Sequence, residues 1–332
     1  MDFNLKYIHD KKINVAVVLS AYLGHKYIEP QVKSILEQEY DIARYQLTLY
    51  IRDDSQHRDE GMNKYFTSLL SDPRVKFIDE NSENIGVRKS YYELLSYVKA
   101  DYYLFSDQDD IWNKNKFSIF LKNFMELDSA VPILLYSDLL LVDGDNKSLN
   151  TTMKDTVGKN RNCNSFSNRL LDDAITGASM GINRLLRDIV VNRENYFNQI
   201  VMHDSYLGIV ASLSGKIAFV DQPLTRYRQH ENNVVGIKSK KYSKVNPLKY
   251  FKRYKWVNQH YKQAIIAAHC VKNYNILPEN QKLLDALESL HDSKRFAYKN
   301  YYELVHNARG ITDKIIVSYQ WLIGIKQYES NN

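Results

Sequence analysis

The stretch Ile13–Leu19, with the sequence INVAVVL, is rich in β-branched residues and almost continuously apolar. A strand inside a parallel sheet has this composition because helices cover both of its faces. Glu29–Gln38 follows with apolar residues at helical spacing, and Pro30 stands where the first turn of a helix tolerates proline. We therefore predict a buried first strand followed by a helix.

The same alternation of apolar runs and amphipathic stretches continues to about Ser106. It predicts strands and helices in turn, namely strand Leu47–Ile51, helix Glu60–Leu70, strand Val75–Ile78, helix Val87–Val98 and strand Tyr102–Phe105. Such a series indicates an α/β fold with a mostly parallel sheet and helices on its faces. Ligands bind such sheets at the carboxyl ends of the strands, so the loops that follow the strands are the place to look for function.

Beyond Asp110 the pattern is less regular. We predict a helix at Asn113–Met125, strands at Ile133–Tyr136 and Leu139–Val142, and a polar loop at Asn150–Ser167. A second helix at Asp204–Leu213 and two short strands at Lys216–Val220 and Leu224–Arg228 follow. From about Ser239 the chain is predicted to be helical, with helices at Tyr261–Val271, Glu279–Leu290 and Tyr298–His306 and breaks at Pro247 and Pro278. This pattern divides the chain into an α/β domain over residues 1–237 and a helical region over residues 238–332.

The composition is that of a soluble globular protein, with 44% hydrophobic and 25% charged residues among 332. No apolar run approaches the roughly 18 residues that span a bilayer. The first residues lack the basic and then apolar layout of a secretory signal, and the two cysteines form no CxxC pair. We expect a cytoplasmic protein.

The positive charge is concentrated in one segment. Lys238–Trp256 holds eight Lys or Arg and no acidic residue, so the net charge of +6 leaves 6 − 8 = −2 for the rest of the chain. Five aromatic residues are interleaved with these cations. The pattern suits a segment at the inner face of an anionic membrane, and equally a helix that packs its aromatics inward with lysines in water. Nucleic-acid binding is disfavoured because no binding signature accompanies the segment.

Several common enzyme classes are excluded by missing motifs. No glycine pair forms G-x-G, which disfavours NAD, and Gly215-Lys216 lacks the remainder of a phosphate-binding P-loop. The zinc-protease motif HExxH and the serine-hydrolase motif GxSxG are also missing from the sequence.

Acidic residues follow two of the predicted strands. Asp53-Asp54 comes after the second strand and Asp107-Gln108-Asp109-Asp110 after the fourth, so the sheet brings all five acids to one edge. Carboxylates this close together raise one another's pKa unless a cation holds them, so the cluster is either well solvated or a metal site. The alternative is a helix start, with Asp110 capping a helix from Ile111.

An ordered set of motifs identifies a resemblance. It consists of LSAYLG (19–24), IRDDS (51–55), ENIGVRKS (83–90), YLFSDQDDIWNKNK (103–116), HDSYL (203–207) and YRQHENNVVG (227–236). The set resembles glycosyltransferase family 2, and within it the bacterial rhamnosyltransferase-like branch that builds cell-wall and capsular polysaccharides. The resemblance covers about residues 13–237. It implies a GT-A fold, a dTDP- or UDP-linked sugar donor, a divalent cation (Mn²⁺ or Mg²⁺) and inversion at the anomeric carbon.

The resemblance also implies roles for individual residues on the donor side. Asp109 and His230 would bind the metal, and Asp107 the ribose or the water shell of the metal. Asp54 would accept a hydrogen bond from the nucleobase, Tyr22 would stack on the base, and the backbone of Ser20 or Ala21 would add contacts. Arg88, directly after the turn 84–86, is placed to meet a phosphate or the base edge; the alternative is a solvated arginine in the first turn of a helix.

On the acceptor side the resemblance places the catalytic base at Asp204, in His203-Asp204, with the small residues of TGASM (176–180) as a wall. An inverting transfer needs such a base to take the proton of the acceptor hydroxyl. The alternative for Asp204 is a helix N-cap. The acceptor would be a glycan, free or linked to lipid. Two competing functions are a sugar-phosphate nucleotidyltransferase and a non-catalytic membrane- or glycan-binding module.

Overall fold

The computed structural model describes residues 12–78, 83–157, 164–171, 175–229, 247–291, 298–308 and 313–318. Within these residues nine strands form one sheet: β1 Ile13–Ala21, β2 Tyr45–Asp53, β3 Val75–Ile78, β4 Tyr102–Asp107, β5 Ile111–Trp112, β6 Ile133–Val142, β7 Ser148–Thr152, β8 Met180–Asn183 and β9 Lys216–Arg228. Their order is β3-β2-β1-β4-β8-β6-β9-β5, and β7 pairs with β6 outside this path.

The sheet is parallel in its first half and mixed in its second. β3, β2, β1 and β4 pair in parallel, as the alternating sequence pattern predicts. β8 pairs antiparallel with both β4 and β6, while β6 and β9 are parallel. The α/β fold with a helical C-terminal part is therefore confirmed. The antiparallel pairings were not predicted because the regular strand-helix alternation ends after β4.

The described helices are α1 His25–Leu36, α2 Glu60–Leu69, α3 Val87–Tyr97, α4 Lys116–Met125, α5 Met153–Val157, α6 Phe166–Leu171, α7 Arg184–Val191, α8 Glu194–Phe197, α9 His203–Ser214, α10 Pro247–Cys270, α11 Pro278–His291 and α12 Tyr298–His306. Residues 313–318 are also helical. Pro247 and Pro278 are the first residues of their helices, where the missing proline N–H costs nothing.

Two predicted pairs of strands are in fact continuous. Ile133–Val142 and Lys216–Arg228 each form one strand, and their mutual register shifts around Asp138 and Pro223. Proline cannot donate to a ladder and is tolerated at such a bulge, so it interrupts the sequence pattern without ending the strand.

The prediction of a polar loop over Asn150–Ser167 is wrong where the structure describes it. Thr152 ends β7, and its hydroxyl oxygen accepts a hydrogen bond from the Asp155 N–H while the Asp155 carboxylate accepts from the Thr152 N–H. This reciprocal pair starts α5 despite a polar composition. Residues 158–163 lie outside the described part.

Hydrophobic cores cover both faces of the sheet. Alternate residues of β1 divide between them, with Val15, Val17 and Leu19 facing α1, α2 and α4. Ala16 and Val18 face the other core, which includes α3, α7 and α9 together with α10 and α11. The C-terminal helices thus pack into the same core as the sheet. None of the described helices is long and apolar enough to cross a membrane.

Candidate functional site

The register of the sheet brings the predicted site residues to one edge. Ser20 on β1 lies beside Asp107 on β4 and beside Arg52 on β2, and Ala21 lies beside Asp53. These residues are at the carboxyl ends of three adjacent parallel strands. The edge is the position at which open α/β sheets bind ligands.

Three acids form a compact group at this edge. One carboxylate oxygen each from Asp107, Asp109 and Asp110 lies within 4.8 Å of the others. The Tyr91 hydroxyl donates to Asp107 Oδ1 (3.1 Å), and the Arg228 N–H donates to Asp110 Oδ1 (3.1 Å). Asp110 Oδ2 is buried and has no hydrogen-bond partner among the described residues.

The electrostatics of this acidic triad favour a cation. Burial, followed by the charge of Asp109, raises the pKa of Asp107 to about 6. Burial and both neighbouring carboxylates raise the pKa of Asp110 as well. Three carboxylates whose oxygens lie this close, together with the unpartnered buried oxygen of Asp110, fit the carboxylate coordination of Mg²⁺ or Mn²⁺. The triad can therefore hold a divalent cation.

Asp110 is not a helix cap. Residues Ile111–Trp112 form the short strand β5, which pairs antiparallel with β9, and the helix predicted from Asn113 begins only at Lys116. The cap alternative failed because the pairing partner of β5 is more than a hundred residues away and leaves no local trace in the sequence.

Lys116 is buried close enough to the triad for their charges to interact, a placement that sequence reasoning missed. Its side chain is fully buried, and its Nζ donates to the Ala178 carbonyl (2.8 Å) and to Thr225 Oγ1 (2.9 Å). Burial lowers the pKa of Lys116 to about 7, although Asp110 and Asp107 act in the opposite direction. The available signal was its place at the end of the motif YLFSDQDDIWNKNK.

Asp204 lies in the first turn of α9 rather than at its N-cap, which is Met202. Its Oδ2 accepts from the Gly177 N–H (3.0 Å) and its Oδ1 from the Ser205 N–H (2.7 Å). The next carbonyl after Gly177, that of Ala178, is the one that Lys116 contacts. Asp204 is thus joined to Lys116 through the 176–180 segment.

His203 provides a second path between Asp204 and the triad. Its ring centroid is 4.1 Å from that of Tyr91, the residue that donates to Asp107. Neither ring nitrogen of His203 has a hydrogen-bond partner among the described residues, and burial lowers its pKa to about 3. A neutral imidazole therefore lies between Asp204, its neighbour in the chain, and Tyr91, which contacts the triad.

Asp54 anchors the turn before α3. Its buried carboxylate accepts from Arg52 Nη1 (2.6 Å), from the Ile85 N–H (2.8 Å) and from the Gly86 N–H (2.8 Å). Gly86 has a φ of +80°, a conformation that glycine adopts without strain. The predicted contact of Asp54 with a nucleobase stays a prediction.

Tyr22 is half-exposed, and its backbone is held by Gln108, whose role sequence reasoning also missed. The Gln108 amide accepts from the Tyr22 N–H and donates to the Tyr22 carbonyl, each at 2.8 Å. Gly24 permits this approach, because a Cβ atom there would lie 2.1 Å from Gln108 Oε1. The hydroxyl of Ser20 donates to Ser90 Oγ (2.7 Å) on α3.

For two predicted site residues, Arg88 and His230, the structure gives no direct view of the predicted role. Arg88 Nη1 donates to the Ile200 carbonyl, on the segment that leads into α9. A contact of Arg88 with phosphate or base stays a prediction. His230 lies outside the described residues.

Comparisons with known proteins agree with the resemblance seen in the motifs. The family model for Glycosyl transferase family 2 matches residues 16–189. The chain is 28% identical over 228 residues to the dTDP-rhamnosyl transferase RfbG of Shigella flexneri, covering 66% of this chain and 73% of that protein. It is 30% identical over 114 residues to the putative colanic acid biosynthesis glycosyl transferase WcaA of Escherichia coli (strain K12), covering 34% of this chain and 38% of that protein.

Solved structures share the fold at low identity. S. aureus TarS 1–349 in complex with UDP-GlcNAc aligns with a TM-score of 0.53 at 14% identity, over 95% of this chain and 82% of that chain. The mannosyltransferase PcManGT from Pyrobaculum calidifontis, in complex with GDP-Man and Mn²⁺, aligns with a TM-score of 0.52 at 13% identity, over 98% of this chain and 85% of that chain.

Proposed function

The chain belongs to glycosyl transferase family 2, and we propose that it transfers rhamnose or another hexose from a dTDP- or UDP-linked donor to a glycan acceptor. The transfer is metal-dependent, inverts the anomeric carbon and serves the synthesis of a cell-surface polysaccharide or glycoconjugate. The observation that supports this function best is the acidic triad at the sheet edge, which Tyr91 contacts on one side while it contacts His203, the neighbour of Asp204, on the other.

The proposed nucleotide-sugar donor is based on the proteins that this chain resembles. RfbG is named a dTDP-rhamnosyl transferase, and its match extends over two thirds of this chain. The structural neighbours carry UDP-GlcNAc and GDP-Man at identities that support the fold alone. We therefore place dTDP-rhamnose first and a UDP-hexose second.

On the donor side, Asp109 binds a divalent cation, Mn²⁺ or Mg²⁺, together with Asp110, and Asp107 contacts the ribose or the metal's water shell. Such a cation supplies positive charge to the departing diphosphate. The chain's own contribution is to hold these carboxylates in place through the Tyr91 hydroxyl and the Arg228 N–H. His230 remains a further proposed ligand.

The nucleotide lies over the ends of β1 and β2 in this proposal. Tyr22, half-exposed at that edge, stacks on the base, and the backbone of Ser20 or Ala21 contacts the nucleoside. Asp54 retains acceptor capacity beyond its three bonds, since two carboxylate oxygens offer about four acceptor sites. Arg88 contacts a phosphate or the base edge.

On the acceptor side, Asp204 takes the proton of the attacking hydroxyl as the glycosidic bond forms. Its two hydrogen bonds from backbone N–H groups fix the direction of its carboxylate. The acceptor is a glycan, free or linked to lipid, which would bring the enzyme to the inner face of the membrane. Family membership speaks against both the nucleotidyltransferase and the non-catalytic binding module.

The test is a panel of nucleotide sugars, screened with Mn²⁺ for protection against thermal unfolding and then for turnover. A ligand that binds only the folded state raises its apparent stability. We expect the true donor to raise the melting temperature with Mn²⁺ and to lose this effect with EDTA. Asp109→Asn should abolish the protection, while Asp128→Asn, an exposed acid on a surface turn, should keep it.

Asp204→Asn separates binding from chemistry. It should keep the donor-dependent stabilisation and lose about 100-fold or more in transfer, the usual scale of a general base. Full activity in EDTA would contradict the metal role, and undiminished transfer by Asp204→Asn would remove the base.

A further inference from the structure

The peptide group between Ile200 and Val201 is held on both edges, just before α9 begins. Its carbonyl accepts a hydrogen bond from Arg88 Nη1 on α3, and its N–H donates to Gln263 Oε1 on α10 at 2.8 Å. Because a peptide unit is planar and rigid, bonds to both its oxygen and its N–H fix its position and orientation. Two helices from distant parts of the sequence therefore set the path by which the chain reaches Asp204.

Ser205, the residue after Asp204, is a second attachment point. Gln263 Nε2 donates to Ser205 Oγ (3.0 Å), and Ser205 Oγ lies 3.1 Å from His260 Nε2. His260 Nδ1 is 2.9 Å from the Trp256 carbonyl, which can only accept, so Nδ1 carries a hydrogen and Nε2 is the ring atom that bonds to Ser205. Hydrogen bonds therefore connect Gln263 on α10 to Ser205 on α9, and Ser205 to His260 on α10.

Burial, ring stacking and an ion pair hold the side chains on the face of α10 that makes these contacts. His260 and Gln263 are three residues apart and so lie on the same side of the helix, each with 1% of its surface exposed. The Trp256 ring stacks on His260 with centroids 3.6 Å apart. Arg253 lies over Trp256 at 4.4 Å and pairs with Asp313 at 2.9 Å. Such packing fixes the side chains that meet α9.

We propose that Gln263 and His260 are positioning residues for glycosyl transfer, which fix the first turn of α9 so that the Asp204 carboxylate meets the acceptor hydroxyl. This inference rests on the proposed role of Asp204 as the base. Asp204 bonds to Gly177 across the site and to Ser205 within its own turn, so a shift of that turn moves the carboxylate relative to the 176–180 segment. Displacements of about 1 Å can cost about 100-fold in rate.

The test compares substitutions of two residues that contact opposite ends of α9, Gln263 on α10 and Asn280 on α11. Gln263→Met keeps the side-chain size and removes both bonds. Asn280→Leu is the matched control, because buried Asn280 on α11 donates to the Ser212 carbonyl (2.7 Å), about 12 Å along the helix from Asp204. Release of nucleoside diphosphate is measured with Mn²⁺ and whichever of dTDP-rhamnose, UDP-glucose or GDP-mannose the wild type hydrolyses. We expect Gln263→Met to lose about tenfold or more in kcat with an unchanged donor KM, and Asn280→Leu to stay within about twofold.

A double variant separates this inference from the proposed function. Asp204→Asn/Gln263→Met should be no slower than Asp204→Asn alone, because a positioning residue has nothing left to position. Full activity in Asp204→Asn would refute the base itself. A slow Asp204→Asn with a fast Gln263→Met, or additive losses, would overturn only the positioning role.

Hydrogen exchange supplies a readout that needs no turnover. Gln263→Met and the smaller change Ser205→Ala should raise amide exchange over residues 200–206, whereas Asn280→Leu should raise it at the other end of α9. Unchanged exchange at residues 200–206 in Gln263→Met would overturn the inference even if no donor in the panel is hydrolysed.

Discussion

Gln108 stands between two acids of the triad, yet its side chain serves the neighbouring loop. Both of its amide bonds go to the backbone of Tyr22, so the loop that carries the acids and the loop that carries the proposed base-stacking ring are coupled. The motif alone shows a glutamine between aspartates. Its role depends on the register between β1 and β4, which sets Ser20 beside Asp107 and so brings the two loops together.

We predict that Gln108→Leu weakens binding of dTDP or UDP with Mn²⁺ by about 30-fold. Two hydrogen bonds of about 1 kcal/mol each are lost, and about 1.4 kcal/mol corresponds to a factor of ten. Isothermal titration measures the effect. Gln281→Leu, at an exposed glutamine on α11, is the control and should bind as the wild type does.

Gly24→Ala tests the contact between Gln108 and the Tyr22 loop by a change in that loop instead of in Gln108. The added Cβ would meet Gln108 Oε1 at 2.1 Å and push the amide away. Combined with Gln108→Leu it should add little further loss. Wild-type affinity in Gln108→Leu would show that the Tyr22 loop needs no support.

Among the elements, α10 carries the described part of the basic segment, for which the sequence left two arrangements open. The described part of the basic segment places Tyr254 and Trp256 against the core, while Lys252 and Lys255 are exposed. This arrangement matches the alternative in which the aromatics pack inward. Any membrane contact by residues 252–256 must therefore rest on charge rather than on aromatic insertion.

A membrane contact that rests on charge should depend on the exposed lysines and on the salt concentration. Lys252→Glu/Lys255→Glu should reduce pelleting with phosphatidylglycerol vesicles by more than about tenfold, since each basic residue near an anionic surface contributes about 1 kcal/mol. Binding should also fall with salt. Lys272→Glu/Lys282→Glu, a pair of exposed lysines outside the segment, should bind normally. Equal pelleting of all three proteins, or none by the wild type, would exclude this contact.

At the scale of the whole molecule, the predicted boundary between an α/β domain and a helical region at residue 237 can be tested by the packing of the C-terminal helices. The core beneath α9 is completed by apolar side chains of the C-terminal helices, including Val257, Tyr261, Ile265, Leu283, Leu284 and Leu287. Burial of each such side chain contributes about 1.5–3 kcal/mol. Their sum reaches the entire stability of an ordinary domain, about 5–15 kcal/mol.

We therefore expect a chain shortened to residues 1–237 to lose cooperative thermal unfolding and to bind a hydrophobic dye. Circular dichroism and dye fluorescence measure both properties. A shortened chain that unfolds cooperatively and still binds nucleotide with Mn²⁺ would show that the α/β part is an independent domain.

What the sequence determined by itself is the parallel half of the sheet, the acids at its edge and the family. Strand and helix periodicity from β1 to β4 is local, and the motifs that carry Asp54, Asp107 and Asp109 are contiguous. Hence residues near one another in the chain were enough to predict them.

What only the tertiary structure decided depends on residues distant in the chain. β5 exists because β9 pairs with it, Lys116 is buried because Ala178 and Thr225 accept its hydrogens, and α9 is held at its start by Gln263. A hydrogen bond satisfies a buried polar group whatever the sequence separation of its partner. No local pattern records that partner, and only the folded chain brings the two together.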